Sequence, residues 1–227
     1  KGDKITHINQ KEVHSIEEML NVLDSTTDKL EMEITYKRGS STYNTTLTLV
    51  QDENNVFKTG LYVKDSINGV GTLTFIDPNT KTYGALGHEI IESTTGQRLE
   101  MKDGKIYHST VTGITRSDDG NPGEKNAKYN VNEVYGNIKE NSTSGIFGTY
   151  TSELPDKKKY KVAHEKDIQL GDASILTVIS GNEVEEFKIN ILKIMRNDKK
   201  NKNILFEVTD ERLLKSAGGI VQGMSGS

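Results

Sequence analysis

The sequence has 227 residues, no cysteine, and 33 acidic against 29 basic side chains, which gives a net charge of -4. The lack of cysteine excludes disulfides, a cysteine nucleophile and thiolate metal sites within this sequence. The charge balance offers no basic field, so we expect no nucleic-acid partner. No run of about 18 apolar residues occurs, so no membrane-spanning helix is predicted among these residues.

The first fifty residues predict a strand, then a helix, then a hairpin. Ile5 and Ile8 mark a short strand over residues 2–9. Ser15 is the predicted N-cap of the helix, and Glu18 completes a capping box. Apolar residues then recur at helical spacing and predict one core-facing side, Ile16, Met19, Leu20 and Leu23.

The hairpin is predicted by alternating apolar and polar residues over 30–36 and again over 43–50. Strand, helix and hairpin in this order, opening with Gly-Asp-x-Ile from Gly2, resemble the C-terminal half of a PDZ domain. Such domains bind extended peptides by adding a strand to a sheet edge. We expect the half with the carboxylate-binding loop to precede Gly2, and we predict a PDZ part over 1–52 and a second domain over 53–227.

The second domain is predicted to be all β, because short apolar runs alternate with glycine turns. The predicted strands are 60–64, 70–76, 105–114, 173–179, 185–195 and 202–209. Helix signals are sparse. The turn-rich stretches 117–128 and 153–160 are predicted to be long loops at the rim of a cleft.

A small-residue turn around a serine, Gly-Met-Ser-Gly-Ser, occupies residues 223–227. A nucleophilic serine needs space around its hydroxyl, and its own N–H can form an oxyanion hole with the N–H two residues earlier. These two groups belong to Ser225 and Gly223. The spacing is closer to the Gly-Asp-Ser-Gly-Gly loop of chymotrypsin-like proteases than to the elbow of the α/β-hydrolases. A solvated loop is the alternative interpretation of these five residues.

A nucleophilic serine requires a base, and His88 is the candidate among five histidines. It follows the predicted buried strand 70–76, and Gly84 and Gly87 remove side-chain bulk beside it. A structural histidine bonded to a backbone carbonyl is the alternative interpretation. The remaining histidines lie in polar surroundings and are expected at the surface, namely His7, His14, His108 and His164.

Five segments, taken together and in order, carry a family resemblance. They are GVGTLTF at 69–75, YGALGH at 83–88, GNPGEK at 120–125, GIFG at 145–148 and GGIVQGMSGS at 218–227. They resemble the stage IV sporulation protein B (SpoIVB) peptidases of endospore-forming bacteria. The resemblance extends from about residue 1 to the end of the sequence, and agreement over several ordered segments is more specific than any single one.

The resemblance implies a mainly β serine endopeptidase, a chymotrypsin-like double β-barrel preceded by a PDZ domain. Ser225 corresponds to the family's nucleophile, His88 to its base, and Asp210 to an aspartate fifteen positions before the serine. A triad carboxylate fixes the imidazole tautomer. Because the triad aspartate of chymotrypsin-like enzymes lies about midway between histidine and serine, Asp210 could instead shape the substrate pocket or the oxyanion loop. Asp103 and Asp172, both beside glycine in predicted turns, are alternatives.

The resemblance also implies a biological role. Such a protease is secreted across the forespore membrane into the space between forespore and mother cell. There it cleaves itself and the extracytoplasmic part of a membrane-bound regulator, which activates a late sigma factor in the mother cell. A protein inhibitor and a PDZ peptide ligand are further candidate partners, and no cofactor or metal is implied.

Two other expectations concern activity and the ends of the sequence. We expect a membrane-targeting segment before Lys1 and further barrel strands after Ser227. A catalytically inactive PDZ/protease-like binding module is the alternative function, and a structural role in the spore envelope has no positive feature in its favour.

Overall fold

The computed structural model describes residues 2–25, 30–53, 56–92, 96, 98–99, 104–195 and 203–227. It is mainly β, as the sequence predicts. Its contacts divide the chain into two units, Lys1–Gly69 with Ser93–Gly96 and Val70–Glu92 with Gln97–Ser227. Neither of the α-helices in the described ranges is long and apolar enough to cross a membrane.

The first unit is a small sheet covered by one helix. Its elements are β1 (Lys4–Ile8), β2 (Lys11–Glu12), α1 (Ile16–Asp24), β3 (Glu31–Arg38), β4 (Ser41–Thr48), β5 (Val50–Gln51) and β6 (Phe57–Lys58). The first four strands form one antiparallel sheet in the order β2-β1-β3-β4, and β5 pairs with β6. The predicted strand, helix and hairpin are therefore present. The PDZ assignment and the domain boundary at residue 52 stay predictions.

Helix α1 begins where the capping residues predict. The Ser15 side chain accepts the N–H of Glu18, whose carboxylate accepts the N–H of His14. The buried side of the helix is Met19, Val22 and Leu23, so the prediction that Leu20 faces the core is wrong, and Leu20 is 51% exposed. The buried stripe follows i, i+3, i+4 from Met19, which turns position 20 away from the sheet.

The second unit contains the remaining strands and a second helix. They are β7 (Leu73–Ile76), β8 (Thr82–Ala85), β9 (Gly104–Thr115), β10 (Glu124–Ser142), β11 (Gly145–Tyr150), β12 (Gly171–Thr177), β13 (Glu185–Ile194), β14 (Ile204–Val208) and α2 (Glu211–Ala217). A five-stranded sheet has the order β7-β8-β11-β10-β9, and a three-stranded sheet has the order β12-β13-β14. The larger sheet is consistent with half of a barrel in a chymotrypsin-like protease fold.

Several predicted strands of this unit are confirmed, and some details are wrong. Strand β10 begins at Glu124, inside the predicted loop 117–128, because the backbone from Glu124 pairs with β9; β11 pairs with β10 only from Gly136 onward. Residues 60–64, all of them described, form no strand. Strand β7 is shorter than predicted and is not buried, since Phe75 is 49% exposed.

Two apolar clusters hold the second unit together. One lies between β8 and β11 and is built on Tyr83, Ala85, Ile146 and Tyr150. The other joins β13, α2 and the residues that follow α2, and is built on Phe187, Leu213, Ala217, Val221 and Met224. The second cluster therefore fixes the loop that contains the predicted nucleophile.

Candidate active site

The predicted nucleophile lies in the loop that follows helix α2, residues 218–227, which we call the nucleophile loop. The helix ends at Gly218, whose left-handed backbone has φ +78°. Val221 and Met224 are each 3% exposed and pack into the second cluster. Ser225 comes directly after the Met224 anchor and is half-buried. The loop is thus anchored by two buried apolar side chains, and its serine stays partly open to solvent.

Two tight turns shape the backbone around Ser225. The Met224 N–H donates to Val221 O at 3.1 Å, and the Ser227 N–H donates to Met224 O at 3.0 Å. Among the described residues, neither the Gly223 nor the Ser225 N–H donates a hydrogen bond. Within the described part of the chain these two N–H groups therefore have no acceptor, and their role as oxyanion donors stays a prediction.

His88 follows β8 after a sharp turn. Leu86 and Gly87 both have positive φ, +74° and +70°, and the His88 side chain is exposed. Its Nδ1 lies 2.9 Å from Glu89 O. A carbonyl oxygen only accepts, so this hydrogen bond requires the proton on Nδ1 and leaves a lone pair on Nε2. This is the tautomer of a general base that acts through Nε2.

The backbone beside Ser225 packs on the backbone beside His88. A Cβ atom built on Gly226 would lie only 3.0 Å from the Leu86 nitrogen. A Cβ atom built on Gly87 would lie 3.9 Å from the Gly226 nitrogen. Because Gly226 follows the serine and Gly87 precedes the histidine, the structure brings these two predicted site residues into adjacent loops.

Strand β7 and the residue before it hold the same loop from another side. The Thr72 hydroxyl donates to Gly223 O at 2.7 Å. A Cβ atom on Gly226 would lie 3.1 Å from Thr72 O and 2.4 Å from Thr74 Oγ1. Gly226 also has φ +92°. A residue without Cβ is therefore required for the loop to lie this close.

Asp210 is the N-cap of α2, and its carboxylate is bonded there. It accepts the N–H of Arg212 at 3.0 Å and the N–H of Lys188 at 3.2 Å. The Arg212 guanidinium also donates to it at 3.2 Å, and these hydrogen bonds hold the pKa of Asp210 below its usual value. The His88 Nδ1 binds Glu89 O instead of this carboxylate. The triad role of Asp210 stays a prediction.

Two other carboxylates are alternatives to Asp210 in the predicted triad. Asp172 lies exposed on β12, opposite Asn190 of β13. Asp103 lies outside the described residues. Within the described ranges, no group of three or more His, Asp or Glu side chains could hold a metal ion.

Sequence reasoning missed Lys125, which lies under the nucleophile loop. The residue is only 7% exposed, and its Nζ donates to Thr177 Oγ1 at 2.9 Å. Burial lowers the pKa of the Lys125 ammonium to about 8. Its place in the GNPGEK segment was the available signal, but a polar, glycine-rich segment predicts a solvated loop.

The fold is mainly β, and two adjacent loops carry a partly exposed serine and a histidine. Among the described residues, the Nε2 of this histidine and two N–H groups of the serine loop have no hydrogen-bond partner. A serine peptidase needs these groups. The SpoIVB peptidase S55 family model matches residues 55–227, more than half of the chain. The chain therefore belongs to the SpoIVB peptidase family, which confirms the predicted family and a serine peptidase of sporulation. No curated protein and no solved structure matches the chain.

Proposed function

We propose that this protein is a sporulation signalling serine endopeptidase in which Ser225 is the nucleophile and His88 the general base. The observation that carries the proposal is the packing of Gly226 against Leu86 and Gly87, because it sets the serine and histidine loops side by side. The family match over residues 55–227 supports the same chemistry.

In the proposed reaction the Ser225 hydroxyl oxygen attacks the carbonyl carbon of the scissile peptide bond, and its proton passes to His88 Nε2. The oxyanion accepts hydrogen bonds from the Gly223 and Ser225 N–H groups. The C–N bond then breaks while His88 returns the proton to the leaving amine, and an acyl ester remains on Ser225. His88 next takes a proton from water, whose oxygen attacks the ester carbonyl carbon. The C–O bond to Ser225 then breaks, His88 returns the proton to the Ser225 oxygen, and the carboxylic acid leaves.

The natural substrates we propose are this protein itself and the extracytoplasmic part of a membrane-bound regulator. Cleavage would take place between forespore and mother cell and would activate a late sigma factor in the mother cell. Self-cleavage is supported by the exposed stretch 153–164, which has neither helix nor strand, since proteases prefer such segments. We propose a protein inhibitor and a peptide ligand of the PDZ part as further partners.

One observation favours the alternative, a catalytically inactive binding module. The Asp210 carboxylate is hydrogen-bonded to Arg212 and to the start of α2, and the His88 Nδ1 is hydrogen-bonded to Glu89 O. An inactive module would retain peptide binding and would show no dependence on His88.

Self-cleavage is tested with an inactive copy as the substrate. Tagged full-length Ser225→Ala protein is incubated with untagged full-length wild type or with untagged His88→Ala protein. We expect fragments of the tagged copy only with wild type, because only that protein has both nucleophile and base. A tagged copy that stays intact with wild type would contradict self-cleavage, and equal cleavage by His88→Ala would contradict the assignment of the base.

A further inference from the structure

We propose that Lys125 is a positioning residue for the reaction at Ser225. Its side chain links the two flanks of the nucleophile loop, Gln222–Gly223 before Ser225 and Ser227 after it. The link keeps the Gly223 and Ser225 N–H groups aimed at the substrate carbonyl oxygen. This inference rests on the proposed function of Ser225.

The first flank of the loop is clamped by the start of β10. The Lys125 N–H donates to Gln222 O at 2.9 Å, and the Gln222 N–H donates to Gly123 O at 3.1 Å. A Cβ atom on Gly223 would lie 3.1 Å from Lys125 Cβ and 3.4 Å from its Cδ. The methylene stem of the lysine therefore packs directly on the residue that supplies one oxyanion donor.

The Lys125 ammonium group is linked to the second flank, Ser227, through a shared hydrogen-bond acceptor. Lys125 Nζ donates to Thr177 Oγ1 at 2.9 Å, and Ser227 Oγ donates to the same oxygen at 3.0 Å. Thr177 is the last residue of β12 and is 1% exposed, so this shared acceptor is fixed in the fold. Through the Thr177 hydroxyl, the Lys125 side chain thus connects Gly223, two residues before Ser225, with Ser227, two residues after it.

Packing alone does not account for a lysine at this position. The groups that face its side chain from β12 and from the nucleophile loop are uncharged, namely Thr177, Ser227 and the backbone of Gln222 and Gly223. Its neighbour across the β9–β10 ladder is Ile114. No carboxylate of the described residues forms an ion pair with it. Burying an ammonium ion on a single neutral acceptor costs free energy that a methionine would not.

The test is the rate at which a fluorophosphonate probe labels Ser225 in the full-length protein. Lys125→Met keeps the length of the stem but removes the donor, so we expect labelling to slow on the order of tenfold. Ser227→Ala breaks the same link at its far end and should slow labelling by a smaller factor. The double variant should label no more slowly than Lys125→Met, because both changes remove one link. Lys128→Met changes an exposed lysine of the same strand and should label at the wild-type rate.

A pH profile separates positioning from packing. The ammonium form is a stronger donor than the neutral amine. Labelling of wild type and of Lys128→Met should therefore decrease as the pH rises through the pKa of Lys125, about 8. Labelling of Lys125→Met should be slow throughout and lack this decrease, whereas a purely structural lysine would leave the profile unchanged in shape.

The outcomes distinguish this inference from the proposed function. Wild-type labelling of Lys125→Met, or fully additive losses in the double variant, would overturn the role of Lys125 and leave the peptidase proposal standing. Failure of the wild type to label would overturn both. If Lys125→Met does not fold, Ser227→Ala decides the matter, because Ser227 is exposed and its hydroxyl contributes little to the core. An unchanged rate in that variant would overturn the proposal.

Discussion

The orientation of the His88 imidazole depends on a single carbonyl oxygen, that of Glu89. A carbonyl fixes the tautomer as well as a carboxylate does, but it carries no full charge and stabilises the imidazolium less. In the proposed reaction this tautomer leaves Nε2 to accept the proton of Ser225. A carboxylate on Nδ1 would strengthen this base.

The variant Asp210→Asn separates a helix-capping role of Asp210 from a triad role. Asparagine still caps a helix but loses the ion pair with Arg212, so we expect the melting temperature to fall. Labelling of Ser225 that slows by less than about tenfold would show that the hydrogen bond to Glu89 suffices to orient His88. The measurements are calorimetric melting and fluorophosphonate labelling. A loss of about 10⁴-fold with an unchanged melting temperature would instead assign Asp210 to the triad.

The sequence predicts some site residues but not those whose role depends on backbone groups or on packing against distant elements. Ser225 and His88 stand out because glycines beside them leave room for chemistry. The bond from His88 to Glu89 uses a backbone carbonyl, which residue types do not reveal. Lys125 is hidden because its burial depends on β12 and the nucleophile loop, which lie far from it in the sequence.

At the scale of elements, Gly226 lets the nucleophile loop lie on β7 and on the turn after β8. In Gly226→Ala the new Cβ would collide with Thr74 Oγ1 and the Leu86 nitrogen, so the loop must move. A shift of about 1 Å can cost about a hundredfold in rate, and we expect a loss of that order in Ser225 labelling.

Gly120→Ala is the matched control for this prediction. Gly120 has a similar φ of +80° but nothing within 4 Å of its Cβ position, so it carries the backbone strain without the collision. It should destabilise the fold by about 1 kcal/mol and leave labelling unchanged. Equal labelling losses in the two variants would show that the close approach at Gly226 is not what positions the serine.

The helices and strands also divide into those that the sequence predicts and those that it does not. The hairpin of β3 and β4 is predicted because its apolar residues alternate. The strands β9, β12 and β13 are predicted because short apolar runs alternate with glycine turns. The long strand β10 is missed because its sequence is polar and its stability comes from pairing on both sides. Helix α2 is missed because it has seven residues, and its buried Leu213 and Ala217 acquire a partner only when Phe187 packs on them.

At the scale of the whole molecule, five ordered segments predict the family, and the family model confirms it over residues 55–227. The mainly β class is also predictable, because glycine turns separate short strands throughout. The pairing order of the five-stranded sheet is not predictable, since β8 pairs on one side with the preceding strand β7 but on the other with β11, which is distant in the sequence. The juxtaposition of Ser225 and His88 depends on that order.

The proposed reaction depends on the activation of Ser225 by His88. Its most direct test compares fluorophosphonate labelling of full-length wild type, His88→Ala and Ser225→Ala, with melting curves to establish that all three are folded. We predict strong labelling of wild type, none of Ser225→Ala, and a rate for His88→Ala lower by several orders of magnitude, because members of a catalytic unit fail together. Labelling of His88→Ala at the wild-type rate, or no labelling of folded wild type, would contradict the proposed activation of Ser225.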